Sequence, residues 1–182
     1  MRLRHVKRLL VHPADIVPGH DPPTLPQVRL STSEKGEVAM TIVNVSKSVE
    51  LKASAPDVWK FIKNFAGFAS WQPHINSVEM LPNGDRKVFF KRGNTMLDRI
   101  KRLDDAAMTL SYELVPGQAT PPGAPPIKSL DATFVVTAQG SGSAVTYTIE
   151  ADVPPAMKDM APVGIGGDID GALTGLKKHF SS

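Results

Sequence analysis

Cysteine is absent, which excludes disulfides and thiol chemistry and leaves the redox compartment open. Long apolar runs are absent too. No stretch approaches the roughly 18–20 residues that span a bilayer, so stable membrane insertion is not expected. Charge of one sign is barely in excess, with 21 Lys and Arg against 18 Asp and Glu. Nucleic-acid binders concentrate basic charge in a patch beside aromatic residues. Here Lys and Arg are scattered, and the one dense cluster, Arg2, Arg4, Lys7 and Arg8, lies near the N-terminus. Nucleic acid is therefore not an expected partner. Histidine is scarce. His5, His12 and His20 fall in the N-terminal segment, and His74 and His179 have no ligand-spaced partners, so neither a metal nor another cofactor is expected. Gly164-Ile165-Gly166-Gly167 has the look of a phosphate loop but lacks its lysine and the preceding buried strand.

What is present suits one domain: 182 residues, 41% of them hydrophobic. Residues 1–43 differ from the rest. Pro13, Pro18, Pro22, Pro23 and Pro26 remove backbone donors and fix φ, so this stretch reads as an extension without regular structure. Leu9-Leu10-Val11 is broken at once by His12, Pro13 and Asp15, too soon for the apolar core of a signal peptide. A cytoplasmic location is the resulting expectation. Lys35-Gly36-Glu37 must be encoded as AAR-GGN-GAR, a purine-rich run able to serve as a bacterial ribosome-binding site. With Val38 and Ala39 as spacer, translation is expected to start at Met40.

From Asn44 onward the pattern is regular. Asn44 to Lys52 alternates as a strand with one wetter face. Ser54 can cap a helix in which Pro56 tolerates an early position, and Val58, Trp59, Phe61, Ile62 and Phe65 recur at helical spacing. Gly67 should end that helix, with Phe68 to Trp71 a second short turn. Six strands are then expected: Asn76–Leu81, Arg86–Lys91, Thr95–Leu103, Thr109–Val115, Ile127–Ala138 and Ala144–Val153. The short turns between them require antiparallel pairing. A proline-rich loop, 116–126, interrupts the series. A final helix capped by Asp168 carries an apolar stripe through Ile169, Ala172, Leu173, Leu176 and Phe180. The order is β-α-α-β6-α, an α+β fold in which that helix must cover one face of the sheet.

Three segments in this order carry a family likeness. "ASAPDVWKFIKNFAGFASWQP" resembles an opening helix pair with a W-x-P ending at Trp71 and Pro73. "MLDRIKRLDDAAMTLSYELVPG" resembles paired strands with an acidic residue before Arg and a Tyr in the next strand, and "GALTGLKKHF" resembles the end of a long helix. Together they resemble the SRPBCC superfamily, whose helix-grip fold is shared by START lipid-transfer domains, pollen-allergen-like proteins and polyketide cyclase/dehydrase-like proteins. Within it the chain is most similar to the MxaD-like, polyketide-cyclase-like branch. The resemblance implies a curved antiparallel sheet of about seven strands gripping the C-terminal helix, with residues 44–182 forming a ligand-binding domain. It also implies that the space between sheet and helix holds a hydrophobic small molecule.

On that reading the cavity would be lined by Phe68, Trp71, His74, Met96, Asp98 and Ile100, and by Leu110, Tyr112, Phe134, Ile169 and Leu173 on facing elements. Asp98 shares a strand face with Met96 and Ile100, and a desolvated carboxyl would be a proton donor or an anchor. Alternatively it pairs with an Arg, such as Arg99 or Arg102 at the sheet rim, or with a backbone donor. Tyr112 offers a ring with a hydroxyl handle, or is a core residue bonded to backbone. His74 can titrate near neutrality if it stands at the cavity mouth with Trp71, or is solvent-exposed. The Arg92–Asn94 turn and the proline-rich loop fall at the same end of the sheet and could gate it. Three functions follow: a binding or transport protein for an apolar or amphipathic molecule, a cyclase or dehydratase using Asp98, Tyr112 or His74 as acid–base groups, or a protein-interaction module with a filled core. Oligomeric state is not encoded in any feature of the sequence.

Overall fold

The computed structural model describes residues 39–117 and 127–181. The expectations for the rest of the N-terminal extension and for loop residues 118–126 lie outside these. The first strand, β1 (Thr41–Leu51), starts before Asn44. Thr41, Ile42 and Val43 pair with Val153, Asp152 and Ala151, so these residues belong to the sheet and not to the extension. Val43 earns that place by burial with Ala151 and Val153 in a small apolar cluster.

Helix α1 (Ala55–Ile62) is capped as its sequence predicts: Ser54 Oγ accepts from the Asp57 backbone N–H at 3.4 Å. Its Val58, Trp59 and Ile62 are buried. Trp59 Nε1 and Lys63 Nζ both donate to Asp105 Oδ1, at 2.7 and 2.8 Å, which fixes the helix to the turn that follows Asp104. Gly67 does not end α1. It lies inside a 3-10 turn, Phe65–Ser70, where the Asn64 amide stands 2.6 Å from the place a Cβ would take. The glycine admits that side chain and lets the chain turn tightly.

Six further strands follow: β2 (Ile75–Met80), β3 (Arg86–Phe90), β4 (Thr95–Asp104), β5 (Thr109–Leu114), β6 (Ser129–Gln139) and β7 (Gly142–Val153). The seven form one antiparallel sheet in the order β1-β7-β6-β5-β4-β3-β2. Gly84 and Gly93 turn two of the hairpins at φ +87 and +93, a region L side chains rarely adopt. The outer face carries polar cross-strand pairs such as Ser48 with Thr146 and Ser111 with Thr133.

Helix α2 (Ala161–His179) covers the inner face. It begins at Ala161 and not at Asp168, so Gly164 to Gly167 are helical. Pro162 presets the first turn. Tertiary contact then overrides the poor helix propensity of glycine. Lys47 Nζ of β1 donates to Gly166 O at 3.2 Å and to Asp170 Oδ2 at 2.6 Å. Further along, a Cβ on Gly175 would collide with the Trp71 carbonyl, so the helix backbone rests directly on the 3-10 turn. Among the described residues no helix is long and apolar enough to cross a membrane.

Candidate ligand cavity

Between α2 and the sheet, two different environments lie side by side. One is packed solid by aromatic rings. Phe68 meets Trp71 at 5.0 Å and Phe134 at 5.9 Å, and Phe134 stacks on Tyr147 at 3.8 Å. The other is open, a cavity of about 200 Å³ bounded by β3, β4, the start of α2 and the inner faces of β6 and β7. Its walls are largely apolar, with Val88, Met96, Leu130, Ile149, Val153 and Ile165 among them.

Of the residues expected to line it, His74, Met96 and Tyr112 do. Phe68, Leu110, Phe134 and Ile169 have no exposure at all and belong with Trp71 and Leu173 to the packed core. Strand alternation identifies their inward face correctly but not their position along the helix, which separates core from cavity. Trp71 is 5% exposed, so it forms no mouth. Ile100 is 39% exposed. The last β3–β4 pair is Arg86 with Asp98, and a register shift falls between Ile100 and Arg102, so Ile100 stands on strand that β3 no longer covers.

Asp98 is the main correction. It is inward and fully buried, but it does not face the cavity as a free acid. Arg86 Nε donates to its Oδ1 at 2.8 Å and Nη2 to its Oδ2 at 2.6 Å. Burial pushes the Asp98 carboxyl up, against the pull of the guanidinium. Protonating Asp98 would leave the buried guanidinium of Arg86 without its counter-charge. Neither Arg99 nor Arg102 is the partner: they bond Glu113 and Asp104. Arg86 Nη1 also donates to Phe65 O at 2.8 Å, and its guanidinium carbon lies 3.6 Å from the Phe65 ring centroid.

Arg86 itself reaches the cavity wall, as does Tyr147. The sequence reading missed both. The signal was there: Arg86, Val88 and Phe90 alternate on one strand, Val145, Tyr147 and Ile149 on another, and a tight turn at Gly93 sets Arg86 opposite Asp98. Tyr147 and Tyr112 share a hydroxyl–hydroxyl hydrogen bond of 2.6 Å. Burial pushes the Tyr112 phenol up to about 12 and the Tyr147 phenol well above its ordinary value, so both remain protonated.

His74 is half-buried, parallel to the Phe90 ring at 6.0 Å, with no partner for Nδ1 among the described residues. Burial lowers its pKa, the charge of Asp168 opposes this, and Arg92 and Lys91 reinforce it. The imidazole is therefore neutral at pH 7. Arg92 and Asp168, 3.9 Å apart, link the β3–β4 turn to α2 at the edge of the cavity. Gln72 also lines the cavity, and its Nε2 is buried without a partner among the described residues.

A family model described as polyketide cyclase / dehydrase and lipid transport matches residues 43–181. The chain belongs to that family. No curated protein matches it in sequence. Among solved structures, an uncharacterised protein from Bacillus thuringiensis superposes with a TM-score of 0.68 at 20% identity, covering 77% of this chain and 100% of its own. An aromatase/cyclase from a Streptomyces species gives 0.63 at 16%, covering 78% and 94%. Norcoclaurine synthase from Thalictrum flavum gives 0.60 at 18%, covering 78% and 87%. At these identities the likeness establishes the helix-grip fold of the polyketide cyclase/dehydrase family and leaves chemistry to the site itself.

Proposed function

We propose that the protein binds an amphipathic small molecule, an apolar body of one or two rings or a short acyl chain with a polar group, between α2 and the sheet. The observation that supports this reading most is the cavity itself: about 200 Å³ of largely apolar space with a few polar groups at fixed places. An apolar protein cavity of about 150 Å³ holds benzene, so this one suits a small ring system and is too small for a whole diacyl lipid. Native mass spectrometry of protein purified from its own cell should reveal a small non-covalent passenger. Leu130→Trp, which fills the cavity from a half-buried wall position, should abolish that adduct while leaving the far-ultraviolet circular dichroism unchanged. Absence of any adduct, with no binding to a library of one- and two-ring aromatics and short fatty acids, would refute the reading.

A second reading, catalysis of the cyclase or dehydratase kind, is favoured by His74. A neutral imidazole in the cavity wall is poised as a base. With a bound ketone it would remove a proton from the carbon next to the carbonyl and return one from solvent. In deuterium oxide the protein should then speed exchange of those protons, and His74→Gln should slow the exchange by on the order of a hundredfold. Exchange no faster than in buffer rules this reading out and leaves the binding function standing.

A further inference from the structure

The tyrosine pair has one hydrogen too many. Two hydroxyls carry two hydrogens, and a single hydroxyl–hydroxyl bond uses only one. The second needs an acceptor. Among the described residues no carbonyl or carboxylate accepts from either hydroxyl, and Arg86, which contacts Tyr112, can only donate. Neither hydroxyl is bonded to Asp98, whose two oxygens accept from Arg86. Both rings are buried and line the cavity, so the acceptor has to come from whatever the cavity holds. A buried donor left without a partner is costly.

From this we infer that the Tyr112–Tyr147 pair, braced by Arg86 and Asp98, presents one O–H to the bound molecule, whose polar group is therefore a hydrogen-bond acceptor such as a ketone or phenolate oxygen. The inference rests on the binding function proposed above and adds the chemical class of the ligand. Three features make the donor strong. Arg86 is fixed by its bonds to Asp98 and Phe65, and places positive charge beside Tyr112. Tyr147 cannot rotate away, because its ring stacks on Phe134 at 3.8 Å. Both phenols keep their protons across the physiological range, so the pair donates and does not act as a base. A fixed donor in a largely apolar cavity needs no reorganisation when an oxygen arrives, and its bond is stronger there than in water.

The test uses two molecules of one shape, acetophenone and α-methylstyrene, in which a CH₂ replaces the carbonyl oxygen. The intact protein should bind acetophenone about tenfold or more tightly, the range expected when a buried donor is left unmet. Tyr112→Phe/Tyr147→Phe removes both hydroxyls together and should reduce that preference to about one. Equal binding of the two by the unaltered protein, or a preference that survives the double substitution, overturns the proposal. Binding of neither, with no native adduct and no binding to the library, overturns it together with the binding function, whereas equal binding of both overturns the proposal alone. An independent readout needs no variant: the carbonyl stretch of bound acetophenone should lie below its value in hexane, and a hexane-like frequency overturns the proposal.

Discussion

At Asp98 a carboxylate and a guanidinium are closed off together, each with under one-twentieth of its side chain exposed, at 0% and 2%. Such a pair gains little over a well-packed apolar one, because desolvation offsets most of its attraction. Breaking it is another matter, since the surviving charge stays buried. Asp98→Ala should therefore cost about 3–5 kcal/mol of unfolding free energy. Arg86→Met/Asp98→Leu, which removes both charges, should recover most of that loss. Urea unfolding measures both. A single variant within about 1 kcal/mol of the unaltered protein would show that the pair does not hold β3 to β4. The exposed ladder of Arg99, Lys101, Glu113 and Asp131 on the outer face is a useful contrast, because solvent screens those charges and single losses there should matter little.

Element by element, the strands were legible because their ends are punctuated. Pro82-Asn83-Gly84-Asp85 and Arg92-Gly93-Asn94 can only be turns, and the alternation between them sets the inward face. The start of α2 was not legible, since Gly164 to Gly167 argue against helix until Lys47 is seen to hold them there. The cavity was legible in part for a similar reason. Period-two alternation places Leu110, Tyr112 and Leu114 on one face, but whether each meets aromatic core or open space depends on where the rings of Phe65, Phe68 and Phe134 lie. Asp98 shows the limit most clearly. Its inward direction followed from the strand, whereas its role depended on a residue across the hairpin, Arg86, read only as the start of a strand.

On the scale of the whole molecule, α2 behaves as a beam seated at one end. Its C-terminal half rests on the Trp71 carbonyl through Gly175, while its N-terminal half bridges the cavity through Ile165 and Asp168. The seat sets how closely helix and sheet approach, and so how much space remains between them. Two glycines in this helix should then respond in opposite directions to the same substitution. Gly175→Ala drives a methyl group into a backbone carbonyl that has no room to yield, so it should destabilise by about 3 kcal/mol or more. Gly167 is exposed, and a Cβ there meets nothing within 4 Å. Gly167→Ala should instead stabilise by roughly 0.5–1 kcal/mol, by restricting the unfolded chain. Urea midpoints of the two variants on the same day decide it. If Gly175→Ala is as stable as Gly167→Ala, the helix does not rest on Trp71. If it is far less stable, and loses α-methylstyrene and acetophenone alike while Gly167→Ala keeps both, the depth of the cavity is set by that one contact.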